Sequence, residues 1–249
     1  MYQAFSVIYD RVMCEIPYDE WFEKLSALLK RQGKGGGHLC ELGCGTGEMA
    51  GRFSDAGYEV TGIDLSPDML AQAVNKKREG QEILYVNQDM THFSLHKRAD
   101  VVLCICDSIN YLLDEEELLQ AFQCVRDNLA EDGLFVFDMK TEYCYANILG
   151  DTVRVEDADG YTVIWENCYN REDKINEYML TMFLYQEDVR LYERYNECHC
   201  QRAYTREEVE GLLSRAGLAL QACYGTGMDQ EPEEQEERMY FMAGVMSRI

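Results

Sequence analysis

The chain has 249 residues, 47% of them apolar, enough to bury the core of one large α/β domain with an insertion. Its 46 acidic against 23 basic residues give a formal charge of −23, which would repel a phosphate backbone, so nucleic acid is disfavoured as a partner. No stretch reaches the roughly 18 to 20 apolar residues of a membrane span. Asp10, Arg11 and Glu15 interrupt any N-terminal signal-peptide core, so a cytoplasmic protein is expected, with its 11 cysteines reduced rather than paired in a disulfide framework.

Trp21, Phe22, Leu25, Leu28 and Leu29 recur at helical spacing, predicting an amphipathic helix from about Tyr18 to Arg31, ended by the glycine-rich stretch from Gly33 to Gly37. Short apolar strands then alternate with helical segments. The strands are Leu39 to Leu42, Tyr58 to Ile63, Ile83 to Val86, Val101 to Cys106 and Leu134 to Phe137; the helices are Glu48 to Asp55, Pro67 to Arg78 and Glu115 to Leu129. Ser66 before Pro67 is a helix start, a capping side chain followed by proline at the first helical position. Repeated β-α-β units of this kind imply a doubly wound, mainly parallel sheet covered by helices on both faces.

From about 150 the texture changes to period-2 segments, Thr162 to Tyr169, Tyr178 to Tyr185 and Val189 to His199, separated by turn-rich stretches, which reads as an antiparallel meander. A helix from Thr205 to Arg215 follows, then strands at Leu218 to Tyr224 and Met239 to Val245. Residues 1–150 and 204–249 are therefore expected to form one seven-stranded domain with an N-terminal helical cover, and 151–203 an inserted antiparallel β subdomain. Cys198-His199-Cys200 has the residue types of a metal site, but strand alternation puts both thiols on one face and the imidazole on the other, so no metal centre is expected.

The first strand runs into Glu41-Leu42-Gly43-Cys44-Gly45-Thr46-Gly47, a glycine-rich turn between strand and helix. Glycines there permit positive φ and close approach of a ligand, in the crevice where such sheets bind nucleotides. Several cofactor families share that feature. Glu41 would face a pyrophosphate unfavourably but could attract an ammonium, which argues against NAD or FAD and a nicotinamide-dependent oxidoreductase. Asp64, ending the second strand about twenty residues on, is placed to accept ribose hydroxyls. Asp89-Met90 closes the third strand, where an aspartate could hold an exocyclic amine and the methionine cover an aromatic face; a plain strand-ending turn is the other reading.

Taken together, these segments resemble the class I S-adenosylmethionine-dependent methyltransferases. Leu39 to Gly47 looks like their first motif, Gly62-Ile63-Asp64-Leu65-Ser66-Pro67-Asp68-Met69 like their ribose motif, and Asp89-Met90 like their adenine motif. Within that family the chain is similar to small bacterial methyltransferases with a Tyr-Asp signature, here Tyr9-Asp10-Arg11-Val12-Met13, and a Ser-Asn pair after the fourth strand, here Ser108-Ile109-Asn110. Sugar N,N-dimethyltransferases and, more remotely, glycine N-methyltransferases share features of it. The resemblance implies a Rossmann-like fold and cofactor binding by Tyr9, Glu41, Gly43, Cys44, Gly45, Asp64, Leu65, Met69, Asp89, Met90 and the backbone near Cys106, with S-adenosylhomocysteine as product. It also implies a small-molecule methyl acceptor, with N-methylation preferred to O-methylation; the aromatic-rich insertion reads as a lid or wall of the substrate pocket, and the resemblance also permits a homodimer contact through it. Asn110, Tyr111, Tyr9 and Tyr18 are the candidates for orienting the acceptor, and no general base is evident. Methylation of RNA or protein, and a non-catalytic S-adenosylmethionine-binding module, are the alternatives.

Overall fold

The computed structural model describes residues 4–246. The elements follow in the order α1 (Ala4–Val12), α2 (Tyr18–Arg31), β1 (Gly37–Leu42), α3 (Glu48–Asp55), β2 (Tyr58–Asp64), α4 (Pro67–Lys76), β3 (Ile83–Asn87), β4 (Ala99–Cys104), a 3-10 turn (Ser108–Tyr111), α5 (Glu115–Asn128) and β5 (Leu129–Lys140). A π-helical turn (Cys144–Leu149) leads into β6 (Val153–Ala158), β7 (Tyr161–Asn170), β8 (Ile175–Gln186) and β9 (Leu191–Arg202). The chain closes with α6 (Arg206–Ala216), β10 (Leu218–Tyr224) and β11 (Arg238–Val245).

Seven strands form one sheet in the order β10-β11-β5-β4-β1-β2-β3. Pairings among β1 to β5 are parallel, and β11 runs antiparallel to both β5 and β10. The central strands are apolar on both faces because helices cover both. Along β4, Val101 and Leu103 pack with α2 and α3, whereas Val102 and Cys104 pack with α5 and α6. Phe135, Phe137 and Phe241 stack across β5 and β11 with centroid separations of 4.6 and 4.9 Å, filling the second face. Local signals agree with this packing: the Ser66 hydroxyl accepts the Met69 N–H ahead of Pro67, and Thr205 with Glu208 forms a reciprocal capping box on α6.

The insertion is a separate antiparallel sheet in the order β6-β7-β8-β9, one strand more than the sequence periodicity reveals. β6 is nearly all solvent-exposed, so it carries no apolar alternation to announce it. β9 begins at Leu191 rather than Val189, because residues 187–190 turn and Arg190 takes a positive φ of 55°. Helix α4 stops at Lys76 and β4 at Cys104, both short of the expected ends, and β5 runs the full length from Leu129 to Lys140.

Period-2 alternation gives the inserted sheet one apolar face. Val163, Leu180, Met182 and Leu184 on β7 and β8 pack against Phe5, Ile8 and Val12 of α1. The first helix thus docks on the insertion by its apolar stripe. Its polar side grips the main domain: Thr46 donates to Asp10 at 2.6 Å, and Lys76 pairs with Asp10 at 2.6 Å and with Glu48 at 2.7 Å. Helix α1 consequently bridges the two sheets and roofs the space between them. No helix among the described residues is long and apolar enough to cross a membrane.

Candidate active site

A cavity of about 460 Å³ opens at the C-terminal ends of β1, β2 and β3, within the range of small-ligand sites. Its lining includes Tyr9, Tyr18, Glu41, Gly43, Cys44, Gly45, Asp64, Leu65, Met69, Asp89, Met90, Cys106 and Tyr111, so every expected cofactor residue meets there. Thr46, Glu48, Ser108, Thr91 and Glu117 line it as well. Thr46 and Ser108 belong to the glycine-rich motif and the Ser-Asn pair, whereas Glu48, Thr91 and Glu117 carry no motif signal of their own and join the cavity only through chain folding.

The loop after β1 is shaped by its glycines. Gly43, Gly45 and Gly47 have φ of 65°, 52° and 79°, the left-handed region that favours glycine. A Cβ on Gly43 would come within 2.6 Å of the Ser108 hydroxyl, whereas beside Gly45 nothing lies within 4 Å, leaving its backbone open to a ligand. Asp64 fixes this loop to the second strand: its carboxylate accepts the Gly45 and Ser66 N–H groups, each at 2.8 Å. Burial raises the Asp64 carboxyl, and those N–H bonds act against the rise. Asp89 similarly accepts the Thr91 N–H and hydroxyl through Oδ1, at 2.8 and 2.7 Å.

Glu41 is 4% exposed, and its Oε2 has no hydrogen-bond partner. Burial pushes its carboxyl up to about 8; the Ala50 N–H opposes the rise, and the negative charges of Asp64 and Glu48 add to it. An unpartnered carboxylate oxygen inside a ligand cavity is a costly group to leave unsatisfied, and an ammonium would satisfy it. Leu65 is 62% exposed although it borders the cavity, whereas Met69 is buried beneath it.

A second cavity, of about 340 Å³, lies between the main sheet and the insertion. It meets the first at Tyr9, Cys106 and Tyr111, which line both. The meeting point is strained: Cys106 and Asp107 have consecutive positive φ values of 67° and 53°, a conformation that side-chain-bearing residues adopt only at a cost of about 1–2 kcal/mol each. The Asp107 N–H donates to Asp138 Oδ1 at 2.8 Å, holding the turn. Burial alone would raise the Asp107 carboxyl, but Lys140 at 3.0 Å and Arg238 at 2.7 Å outweigh it and hold it at about 2. Gln201 donates to the same carboxylate at 2.8 Å and accepts the hydroxyls of Tyr178 and Tyr145, tying β8 and β9 to the floor. Both tryptophans of the chain, Trp21 and Trp165, line this cavity.

Asn110 does not reach either cavity, which corrects its expected role as an acceptor contact. It is 0% exposed, and its amide is spent on backbone. Its Oδ1 accepts the Lys140 N–H at 3.0 Å, and its Nδ2 donates to the carbonyls of Lys140 at 3.2 Å and Arg202 at 2.8 Å. Asn110 is a brace that joins the ends of β5 and β9 to the turn after β4. Its neighbour Tyr111 does line both cavities. Glu166 and Glu193 of the insertion are exposed and line neither, and His92 and His96 are exposed as well.

A seven-stranded sheet of this order, with a glycine loop, an acidic residue before it and another ending the next strand, defines a nucleoside-cofactor-binding α/β enzyme of the methyltransferase class. Residues 39–133 match the family described as a methyltransferase domain. Over 244 residues the chain is 32% identical to YqeM of Bacillus subtilis (strain 168), named as a candidate methyltransferase, covering 98% of this chain and 96% of that one. It is 28% identical over 200 residues to the dTDP-3-amino-3,6-dideoxy-alpha-D-glucopyranose N,N-dimethyltransferase of Streptomyces fradiae, covering 79% of this chain and 76% of the relative. A solved S-adenosylmethionine-dependent methyltransferase from Clostridium acetobutylicum ATCC 824 superposes with a TM-score of 0.87 at 26% identity, over 99% of both chains. The chain belongs to the S-adenosylmethionine-dependent methyltransferase family, and S-adenosylmethionine is its cofactor.

Proposed function

We propose that the protein transfers a methyl group to the amine nitrogen of a small molecule held in the second cavity. The observation that carries this reading is the junction of the two cavities, formed by Tyr9, Cys106 and Tyr111 with Tyr18 nearby. Burial raises Tyr9, Tyr18 and Cys106, so their phenols and thiol stay protonated at neutral pH. The neighbouring Asp107 carboxylate is engaged by Lys140, Arg238 and Gln201. An alcohol or carbon acid would need a base at this point, whereas a neutral amine attacks with its own lone pair. The N-methyltransferase named among the relatives supports the same choice.

Within the first cavity, Glu41 takes the ammonium of the methionine moiety, Asp64 the ribose hydroxyls and Asp89 the adenine amine, with Met69, Met90 and Leu65 against the apolar surfaces. When bound, the cofactor supplies a sulfonium leaving group, so the chain's task is to align the acceptor and exclude water. Tyr9 from α1 and Tyr18 from α2 close the roof. In this reading residues 1–150 and 204–249 hold the cofactor, and 151–203 form the outer wall of the acceptor cavity.

The test is calorimetric titration with S-adenosylmethionine and S-adenosylhomocysteine, followed by a screen of amino acids, amino sugars, polyamines and matched alcohols for S-adenosylhomocysteine release. Turnover with amines and none with the alcohols is expected. Methylation confined to hydroxyl or carbon acceptors would overturn the amine assignment.

A further inference from the structure

The glycines around the cofactor cavity meet different surroundings. Beside Gly45 nothing lies within 4 Å, and a Cβ on Gly43 would strike the Ser108 hydroxyl. Gly47 and Gly62 instead share one neighbour, the side chain of Tyr85. A Cβ on Gly62 would lie 2.8 and 2.9 Å from two carbons of the Tyr85 ring and 3.0 Å from Cys44 Sγ, and a Cβ on Gly47 would collide with the Tyr85 hydroxyl. Gly62 stands within β2 outside the left-handed region, so its own backbone does not call for glycine. Close approach of a neighbour does.

The sheet register makes that neighbour Tyr85. It is the partner of Gly62 across β2 and β3, and its ring packs on the apolar cluster that contains Met49, Ala50 and Phe53 of α3. The ring thus crosses the bare Cα of Gly62 and ends against Gly47, the residue from which α3 starts. The glycine loop rests on the same end of β2: the Cys44 N–H donates to the Ile63 carbonyl at 3.0 Å and the Gly45 N–H to Asp64 at 2.8 Å. Cys44 is 5% exposed, and its sulfur shares with the ring the space that the missing Cβ of Gly62 leaves. Gly43, Cys44, Gly45 and Thr46 line the cofactor cavity, whereas Tyr85 lies behind them.

We infer that Tyr85 is a positioning residue for the cofactor loop. Seated on Gly62 and against Gly47, its ring sets the height of residues 43–46 over the end of β2. A stiff ring on a paired strand yields little, so any atom added beneath it or removed from it is passed on to the loop. The inference rests on the first cavity being the cofactor site and not on the nature of the acceptor.

The experiment titrates S-adenosylhomocysteine calorimetrically into the full chain, with thermal melts of each ligand-free variant alongside. Gly62→Ala, which puts a methyl under the ring and the Cys44 sulfur, should weaken binding about tenfold or more. Tyr85→Val, which leaves the loop unsupported, should also weaken it about tenfold. In the double variant the vacated ring space admits the methyl and lets the sulfur shift, so the loss should stay near about tenfold rather than reach the roughly hundredfold product. Tyr85→Phe keeps the ring over Gly62 and should bind within about threefold of the parent. With any acceptor that turns over, both single variants should raise the KM for S-adenosylmethionine and spare kcat. Losses that multiply in the double variant, or single variants that melt lower with affinity unchanged, overturn the inference and leave Tyr85 a packing residue. If Tyr85→Val folds poorly, unchanged affinity in Gly62→Ala is by itself the refuting result, and a loss there that Tyr85→Leu relieves is the supporting one. Asp64→Ala separates a misplaced cofactor from a wrong role for Tyr85. Unaltered affinity in that variant moves the cofactor out of the first cavity, whereas a loss there with none in Gly62→Ala refutes Tyr85 alone.

Discussion

Glu41, through its proposed contact with the ammonium of the cofactor, would couple binding to a proton. In the unfolded chain its carboxyl titrates near 4.5, and burial in the folded protein pushes it up to about 8. Because the folded-state value is raised, the folded chain binds the extra proton between these values, and stability falls as pH rises through that window. The full shift is about 5 kcal/mol of opposition to the charged form, of which about 3 kcal/mol is felt at pH 7. Glu41→Gln keeps an oxygen for the Ala50 N–H but has no charge to desolvate. The ligand-free variant should therefore be more stable than the parent by up to about 3 kcal/mol at pH 7, a Tm gain of up to roughly 6–12 °C. The cofactor's ammonium, by contrast, requires the carboxylate, so at pH 7 binding should release about 0.9 proton, falling toward zero by pH 9. Calorimetry in two buffers of different ionisation enthalpy counts that proton directly. In Glu41→Gln the release should vanish and affinity fall by about ten- to a hundredfold, the loss of one charge-assisted hydrogen bond. Buffer-independent binding enthalpy in the parent, or a ligand-free variant less stable than the parent, would refute the assignment of Glu41.

Asp64→Ala removes the Gly45 and Ser66 tethers together with the proposed ribose acceptor, so cofactor affinity should drop by on the order of 1–3 kcal/mol in a calorimetric titration. Asn110→Ala leaves three backbone groups at the ends of β5 and β9 without partners; denaturant melts should show about 2–4 kcal/mol of lost stability, with cofactor affinity of the folded protein retained. Asp10→Ala cuts the polar grip of α1 on Thr46 and Lys76, and stopped-flow release of S-adenosylhomocysteine should quicken by about three- to tenfold, a loss on the order of 1 kcal/mol. An unchanged release rate would show that the apolar contact of α1 with the insertion suffices to hold the roof.

Much of the cofactor cavity was legible in the chain because its determinants are local. Gly43, Gly45 and Gly47 follow β1 directly, Asp64 ends β2 and Asp89 follows β3, so recognising three strand ends located three groups that the sheet order then brings together. Backbone geometry requires those residue types there whatever the rest of the molecule does: left-handed φ demands glycine, and strand ends of a parallel sheet converge on one edge. The same local logic put the thiols of Cys198 and Cys200 on the opposite strand face from His199.

Asn110 is the complementary case. A polar side chain just beyond β4 is placed equally well to meet a ligand or a buried backbone, and only the arrival of Arg202 from β9 and Lys140 from β5 decides between them. Strand β6 was missed because an exposed edge strand needs no apolar alternation. The second cavity depends on long-range assembly throughout. Asp107, Lys140, Gln201 and Arg238 come from four separate segments, and the buried charges of Asp107, Lys140 and Arg238 are tolerable only because they are paired in place, with the Gln201 amide adding a hydrogen bond. Local sequence thus determined the doubly wound sheet and the cofactor loop, where chain geometry restricts each residue type on its own. The tertiary structure alone decided the second cavity, because partners separated by up to 131 residues become neighbours only when two sheets and the first helix close around one space.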